Sequence, residues 1–265
     1  MKRLLVTVLL VGFGCALAPA QEELIPPRRG RAAKMGLFGG FTPGYLALDL
    51  EPMNALIKAS GIAPFDQKGA WLWGGAGAAY IMLVPNLRVG GLGMSGSVST
   101  GSSVAVAGVG TVRRDAEVQV GFGGVTVEYV VPLAERLDIA FGAMLGGGGI
   151  DLELRQSIGG VDSWANEGRI FAGWPPGSPP PPSSLAAASL NNNKRTLSGS
   201  FFVWIPSVTI EYAVLGWMAL RIGGSYVGMS FPSWSVDQEY ELNDVPSSVS
   251  GKGIMVSAGI LLGTF

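Results

Sequence analysis

The sequence predicts an all-β chain, an antiparallel up-and-down transmembrane β-barrel of about eight strands with one short helix in its first long loop. Three observations predict it. Charged residues make up only 14% of the 265 residues and apolar residues 48%, whereas an average soluble domain carries roughly 25% charge. Glycine occurs 41 times, about twice its usual ~7% share, and it breaks up the longest uncharged windows, residues 69–87 and 89–112, so that neither reads as a spanning helix. Residues 125–129 read V-T-V-E-Y and residues 208–212 read V-T-I-E-Y, an alternation of period two that marks strands with unlike faces. A chain too apolar for water and too broken for helices is satisfied by a closed barrel, whose strands alternate lipid-facing and lumen-facing residues.

The first residues read as an export signal. Lys2 and Arg3 form a basic start, residues 4–18 are apolar or small, and Ala18-Pro19-Ala20 offers a small-x-small cleavage site. Cys15 follows Gly12-Phe13-Gly14, a poor context for lipid attachment. The division expected is a signal peptide over 1–20, a Pro-interrupted periplasmic lead over 21–33, and the barrel over 34–265. Cleavage removes the single cysteine, so no disulfide is expected, and the chain then becomes slightly more acidic. That charge balance points away from nucleic acid.

Each element has a local reason. A first strand over 34–43 runs through Gly36, Phe38 and Phe41. A helix over 50–60 places Leu50, Met53, Leu56 and Ile57 on one face, with Asp49, Glu51 and Pro52 at its start and Gly61 at its end. Strand two covers 69–84 and strand three begins at Leu87, across Pro85-Asn86. Strand four ends near Val131 and strand five begins near Leu137, across P-L-A-E-R. Strand six covers 196–214, strand seven 218–231, and the last strand 251–265. Residues 98–115 read either as a Gly/Ser loop or as a tall hairpin extended by Val104, Val106, Val109 and Val112. In strands four and five the apolar positions change parity at Gly123-Gly124 and over Gly146–Gly149, which predicts a β-bulge at each. Short and long connections otherwise alternate, and an even strand number puts both barrel ends at the short-turn side.

With this loop parity, the C-terminal G-I-L-L-G-T-F resembles the end of small bacterial outer-membrane barrels of the OmpA, OmpX or OmpW kind; no motif selects a subfamily. The resemblance implies an outer-membrane location, lipid as the surrounding partner, and an assembly signal in Phe265 and Leu261 read by the barrel assembly machinery. Gly263 departs from the larger apolar residue usual there.

Several residues carry the site expectations. Arg88, Glu128, Asp138, Glu211 and Arg221 fall on the expected lumen face near the short turns. Unpaired buried charge costs several kcal/mol, so they are expected to pair, either as a structural network or as a gate. Tyr80, Tyr129 and Tyr212 each precede a short turn, and Trp217 lies in one; they read as a lipid-interface girdle or as ordinary packing aromatics. The long loops 158–195 and 232–249 face outward, with no partner legible for them. The acidic residues of the latter, Asp237, Glu239, Glu241 and Asp244, read as a solvated face, and no metal or other cofactor is expected. Histidine is absent, which excludes Ser-His and Cys-His catalysis. The leading reading is a non-enzymatic structural or surface-interaction barrel. The alternatives are a narrow channel for small or apolar solutes gated by the 50–60 helix, and a soluble lipid-binding barrel.

Overall fold

The structure, a computed structural model, describes residues 36–81, 83–106, 110–158, 193–237, 239–242, 245 and 252–264. The expected signal peptide, the lead, Phe265 and most of loop 158–195 lie outside the described residues. The elements are β1 (Leu37–Phe41), β2 (Gly44–Leu48), α1 (Glu51–Ala59), β3 (Ala70–Tyr80), β4 (Leu87–Val106), β5 (Gly110–Ala134), β6 (Leu137–Ile158), β7 (Asn193–Leu215), β8 (Met218–Val236), β9 (Tyr240–Glu241) and β10 (Gly253–Gly263).

Neighbouring strands pair antiparallel in chain order from β2 to β8, and β10 closes the ring against both β8 and the first strand. β1 and β2 together form that first strand. Both pair with β10 and with β3, and the break falls at Thr42-Pro43. Pro43 has no N–H for the ladder, but its carbonyl accepts from Ala258 N–H at 3.0 Å, while Thr42 N–H donates to Gly74 O at 2.9 Å. Counted this way, eight strands enclose the lumen. Residues 98–115 form the tall hairpin, since β4 and β5 pair without interruption up to Val106 and Gly110.

The expected bulges at Gly123-Gly124 and Gly146–Gly149 are absent. The β5–β6 register runs unbroken through both, from Val112 opposite Ile158 down to Pro132, and shifts only at Pro132/Ala134. Even-numbered residues of β5 point inward from Val112 to Val130: Val118, Val120 and Phe122 above the glycines, Glu128 and Val130 below. What changes at the glycines is the chemistry of the two faces. Toward the short turns the outside is apolar (Val125, Val127 and Tyr129 are 58%, 47% and 48% exposed) and Glu128 is inside. Beyond the glycines the inside is apolar, and Glu117 and Gln119 face out. β6 inverts in the same way. Phe141 and Leu145 face out below Gly146, whereas Ile150 and Leu152 are buried above Gly149 with Asp151 and Glu153 outside.

The molecule therefore has two zones. The lower zone is the closed eight-stranded barrel with an apolar exterior. In the upper zone β3 leaves β4 after Trp73 opposite Ser95, and β10 leaves β8 after Gly253 opposite Val227. Five strands, β4 to β8, continue upward, with the two-residue β9 added on β8. α1 packs against their apolar inner face. Leu50, Met53, Ile57, Ile62 and Phe65 are buried in one core with Leu72, Met94, Val98, Val118, Phe201 and Met229. Each such side chain contributes about 1.5–3 kcal/mol on burial. Leu56, expected on the same helix face, is 43% exposed instead. The helix start is held by Asp49 Oδ1, which accepts from Glu51 N–H at 3.1 Å, and Gly61 ends it at φ +72°. The segment after it is clasped by Asn54, whose Oδ1 accepts from Phe65 N–H at 2.8 Å.

Candidate functional site

Four of the five lumen charges meet. Arg88 on β4 stands opposite Glu128 on β5, and Glu211 on β7 stands opposite Arg221 on β8. Opposed residues share a face, so both pairs point into the lumen from two arcs of the wall, and their long side chains cross the space between. Arg88 Nε donates to Glu128 Oε2 at 2.6 Å. Its two terminal nitrogens grip Glu211 bidentately, Nη1 to Oε2 at 2.8 Å and Nη2 to Oε1 at 2.5 Å. Arg221 donates to Glu128 Oε1, lies 3.5 Å from Glu211 Oε1, and donates to Thr209 Oγ1 at 3.2 Å. Each arginine thus touches both glutamates, and the four side chains form a closed, neutral cycle. Arg88 is 0% exposed, Glu211 3%, Glu128 6% and Arg221 8%. The fork of an arginine suits this bidentate geometry, and a lysine would not. Asp138 stands beside Glu211 in the β6–β7 ladder and is half-buried.

Part of the lumen wall at this level is apolar. Phe38, Ala78, Ala219 and Leu261 form a small buried cluster, and the Phe38 ring lies 4.9 Å from the Arg88 guanidinium carbon, within cation–π range. Leu261, expected with Phe265 in an assembly signal, belongs to this lumen cluster and is fully buried. The outward apolar positions of β10 are Ile254, Val256, Ile260 and Leu262. Adjoining the cycle is a chamber of about 50 Å³, lined by Thr42, Thr126, Ser207, Thr209, Ser225 and Ser257 together with Met144, Ile205 and Met255. Among the described residues, Thr42 Oγ1 is buried there without a hydrogen-bond partner; the chamber has room for about three waters. The apolar core and α1 close the upper end.

On the exterior, Tyr129, Tyr212 and Trp217 are 48%, 46% and 51% exposed at the short-turn end. Tyr80 faces the other way. It pairs with Arg88, so it shares the lumen face, because parity on β3 is fixed by buried Leu72 between exposed Trp71 and Trp73. Sequence reading missed a second band of aromatics nearer the upper zone. Phe41 stacks on Trp73 at 6.1 Å, Tyr45 meets Trp71 edge-on at 5.4 Å, and Trp204 meets Tyr226 at 5.4 Å. The signal was present in Trp71-Leu72-Trp73, an outward pair around an inward leucine.

A separate open cleft of about 510 Å³ lies on the outer face of the upper zone, lined by Ser99, Ser103, Arg113, Asp115, Glu117, Glu153 and Arg155 among others. Most of its charges pair within the sheet. Arg113 Nε lies 2.9 Å from Asp115 Oδ2, Lys194 Nζ lies 2.7 Å from Glu153 Oε2, and Arg155 donates to Glu153 Oε1. The Arg155 hydrogen bond, with help from Lys194, holds the Glu153 carboxyl below the usual carboxylate range.

No family model and no curated protein matches the chain. Solved structures similar to it include a major outer membrane protein from Thermus thermophilus (8% identity, covering 86% of this chain and 98% of that one, TM-score 0.43). They also include Ail of Yersinia pestis in complex with sucrose octasulfate (10%, 86% and 97%, TM-score 0.36) and CarO2 of Acinetobacter baumannii (10%, 87% and 100%, TM-score 0.33). The class rests on the closed eight-stranded ring, the apolar belt outside it and the charged lumen within. The chain is a small β-barrel of the outer-membrane type. In such a barrel the belt between the two aromatic bands meets hydrocarbon, and the upper five-stranded zone stands clear of it.

Proposed function

We propose that this is a non-enzymatic barrel of the bacterial outer membrane, closed to solutes, with a structural or surface-interaction role carried by its upper zone. The observation that supports this most is the lumen, which is filled at two levels. The buried Arg88–Glu128–Arg221–Glu211 cycle fills one, and the apolar core that includes α1 fills the other. The chamber adjoining the cycle has room for only a few waters. An eight-stranded barrel leaves an interior just wide enough for side chains to fill. The reading without enzymatic chemistry draws on the chain's lack of histidine and on carboxylates already committed to arginines.

A channel would require both levels to open. Reconstitution into planar bilayers tests this. No reproducible single-channel steps are expected. Regular steps that disappear in Arg221→Ala or Glu211→Ala would replace the closed-barrel reading with the channel one, gated at the charge cycle.

A further inference from the structure

We propose that the upper edge of β4 is a homotypic docking edge: it pairs antiparallel with β4 of a second copy, centred on Gly101, and joins two barrels head to head. The proposal rests on the surface-interaction reading above and supplies its partner.

The edge is bare. β3 pairs with β4 only as far as Trp73 opposite Ser95, whereas β5 stays paired with it to Val106. Among the described residues, no strand pairs with β4 above Ser95 on the side away from β5. The segment after α1 is tethered to the inner face by side chains alone, Thr100 Oγ1 donating to Pro64 O at 3.4 Å and Ser102 Oγ to Gly61 O at 3.3 Å. An exposed row of backbone donors and acceptors is a template for another strand, and proteins normally blunt it with charge, proline, bulges or a covering segment. Over 97–106 the residues are Ser, Val, Thr, Gly and Ala, without charge or proline, and the register on β5 is continuous.

The opposite edge of the same sheet is treated differently. β8 is covered by β9, its Trp234 carbonyl accepts from Leu242 N–H at 2.8 Å, and its end turns away at Asp237 with φ +50°. One edge of the upper sheet is closed off and the other is left open.

The sequence of the open edge is self-complementary. About Gly101, Thr100 mirrors Ser102, Ser99 mirrors Ser103, and Val98 mirrors Val104. A two-fold axis perpendicular to the sheet, midway between the Gly101 residues of the two copies, sets each of these residues against its like. It also keeps the two faces distinct. Val98, Thr100, Ser102 and Val104 lie on the inner face, and Ser99, Gly101 and Ser103 on the outer. Such an isologous pairing puts no charge against charge at its centre.

Orientation follows from the topology. β4 rises out of the barrel, so an antiparallel partner must descend toward it. Two copies in one membrane rise together and cannot form this pair. The second copy stands in a facing membrane, or in solution inverted against the first.

The test is register-specific cross-linking of full-length chain in a Cys15→Ser background, which removes the single native cysteine. Ser99→Cys and Ser103→Cys variants, each verified as folded by its heat-dependent gel mobility, are oxidised in detergent separately and mixed. The mixture is expected to give at least tenfold more disulfide dimer than either variant alone, because residue 99 faces residue 103 of the second copy. Mixing Ser97→Cys with Ser103→Cys, two residues out of register, is expected to give no excess. Two vesicle populations carrying the two variants should cluster and cross-link on mixing. Equal yields from in-register and out-of-register pairs, or no excess in the mixture, would overturn the proposal. Neither result bears on conductance, so failure here leaves the closed-barrel reading standing.

Discussion

Arg88→Met removes the most buried charge among the described residues. The native side chain is 0% exposed and makes three hydrogen bonds to two glutamates, at 2.6, 2.8 and 2.5 Å. Methionine keeps much of the volume and loses the charge. Glu128 and Glu211 are then left with Arg221 alone, two carboxylates on one cation in a lumen closed by the apolar core. Removing one partner of a buried ion pair costs about 3–5 kcal/mol. With a urea slope of about 2–3 kcal/mol per molar, the unfolding midpoint should fall by roughly 1–2.5 M. The measurement is urea unfolding of the reconstituted barrel, followed by circular dichroism and by heat-dependent gel mobility. Arg88→Met/Glu211→Gln restores neutrality and leaves Arg221 with Glu128, so it should recover most of the loss. The double-mutant cycle should return a coupling of about 2 kcal/mol or more. A single mutant within about 0.5 kcal/mol of the parent, or a double mutant no better than the single, would refute the picture of one interdependent cycle.

Two further outcomes are expected. Val127 and Gln119 lie on the same outward face of β5, on opposite sides of the Gly123-Gly124 inversion. Val127→Arg should therefore destabilise the reconstituted barrel by about 2–4 kcal/mol, while Gln119→Arg should stay within about 0.5 kcal/mol, both read by urea unfolding; equal costs would place the inversion wrongly. Glu153 has its folded pKa lowered, chiefly by Arg155, so its contribution to stability is present above the ordinary carboxylate pKa and is lost as pH falls through the lowered value. An NMR titration of the Glu153 carboxyl should show that depression, and Arg155→Ala should move the value back up; an unchanged value in the variant would contradict the pairing.

Much of the architecture was legible because period two survives in V-T-V-E-Y and V-T-I-E-Y, and because Pro85-Asn86, P-L-A-E-R and Leu215-Gly216-Trp217 mark the turns. The meeting of Arg88, Glu128, Glu211 and Arg221 was legible as well. Each lies on the face opposite apolar residues, near a short turn, and buried charges need partners. The inversion was visible as a change of parity, yet its cause was not. A sequence shows which face of a strand is apolar, but not which face is inside, so a bulge and a change of environment look alike. Only the unbroken β5–β6 ladder separates them. Tyr80 was misplaced for a related reason. Between Gly74 and Ala79 β3 carries only Gly and Ala on both faces, and parity must be carried from Leu72 to recover its inward direction. The direction of Leu261 could not be read from the terminal pattern, because it is fixed by the pairing of β10 with β8, where Leu261 lies opposite Ala219.

The two zones also account for the helix and for the open edge. Eight strands close on themselves, so the lower barrel needs no apolar filling. It can hold a neutral charge cycle inside because hydrocarbon packs against its outside. Five strands do not close. Above the point where β3 and β10 leave the sheet, water reaches the outer face, which is accordingly polar at Gln119, Asp151 and Glu153, and the inner face has to find its own apolar cover. α1 supplies it through Leu50, Met53 and Ile57, which is why the helix lies in the loop between β2 and β3, next to the gap those strands leave. The same departure of β3 strips β4 of its neighbour. Helix, inverted faces and bare edge are thus three consequences of one event, the narrowing of the sheet from eight strands to five.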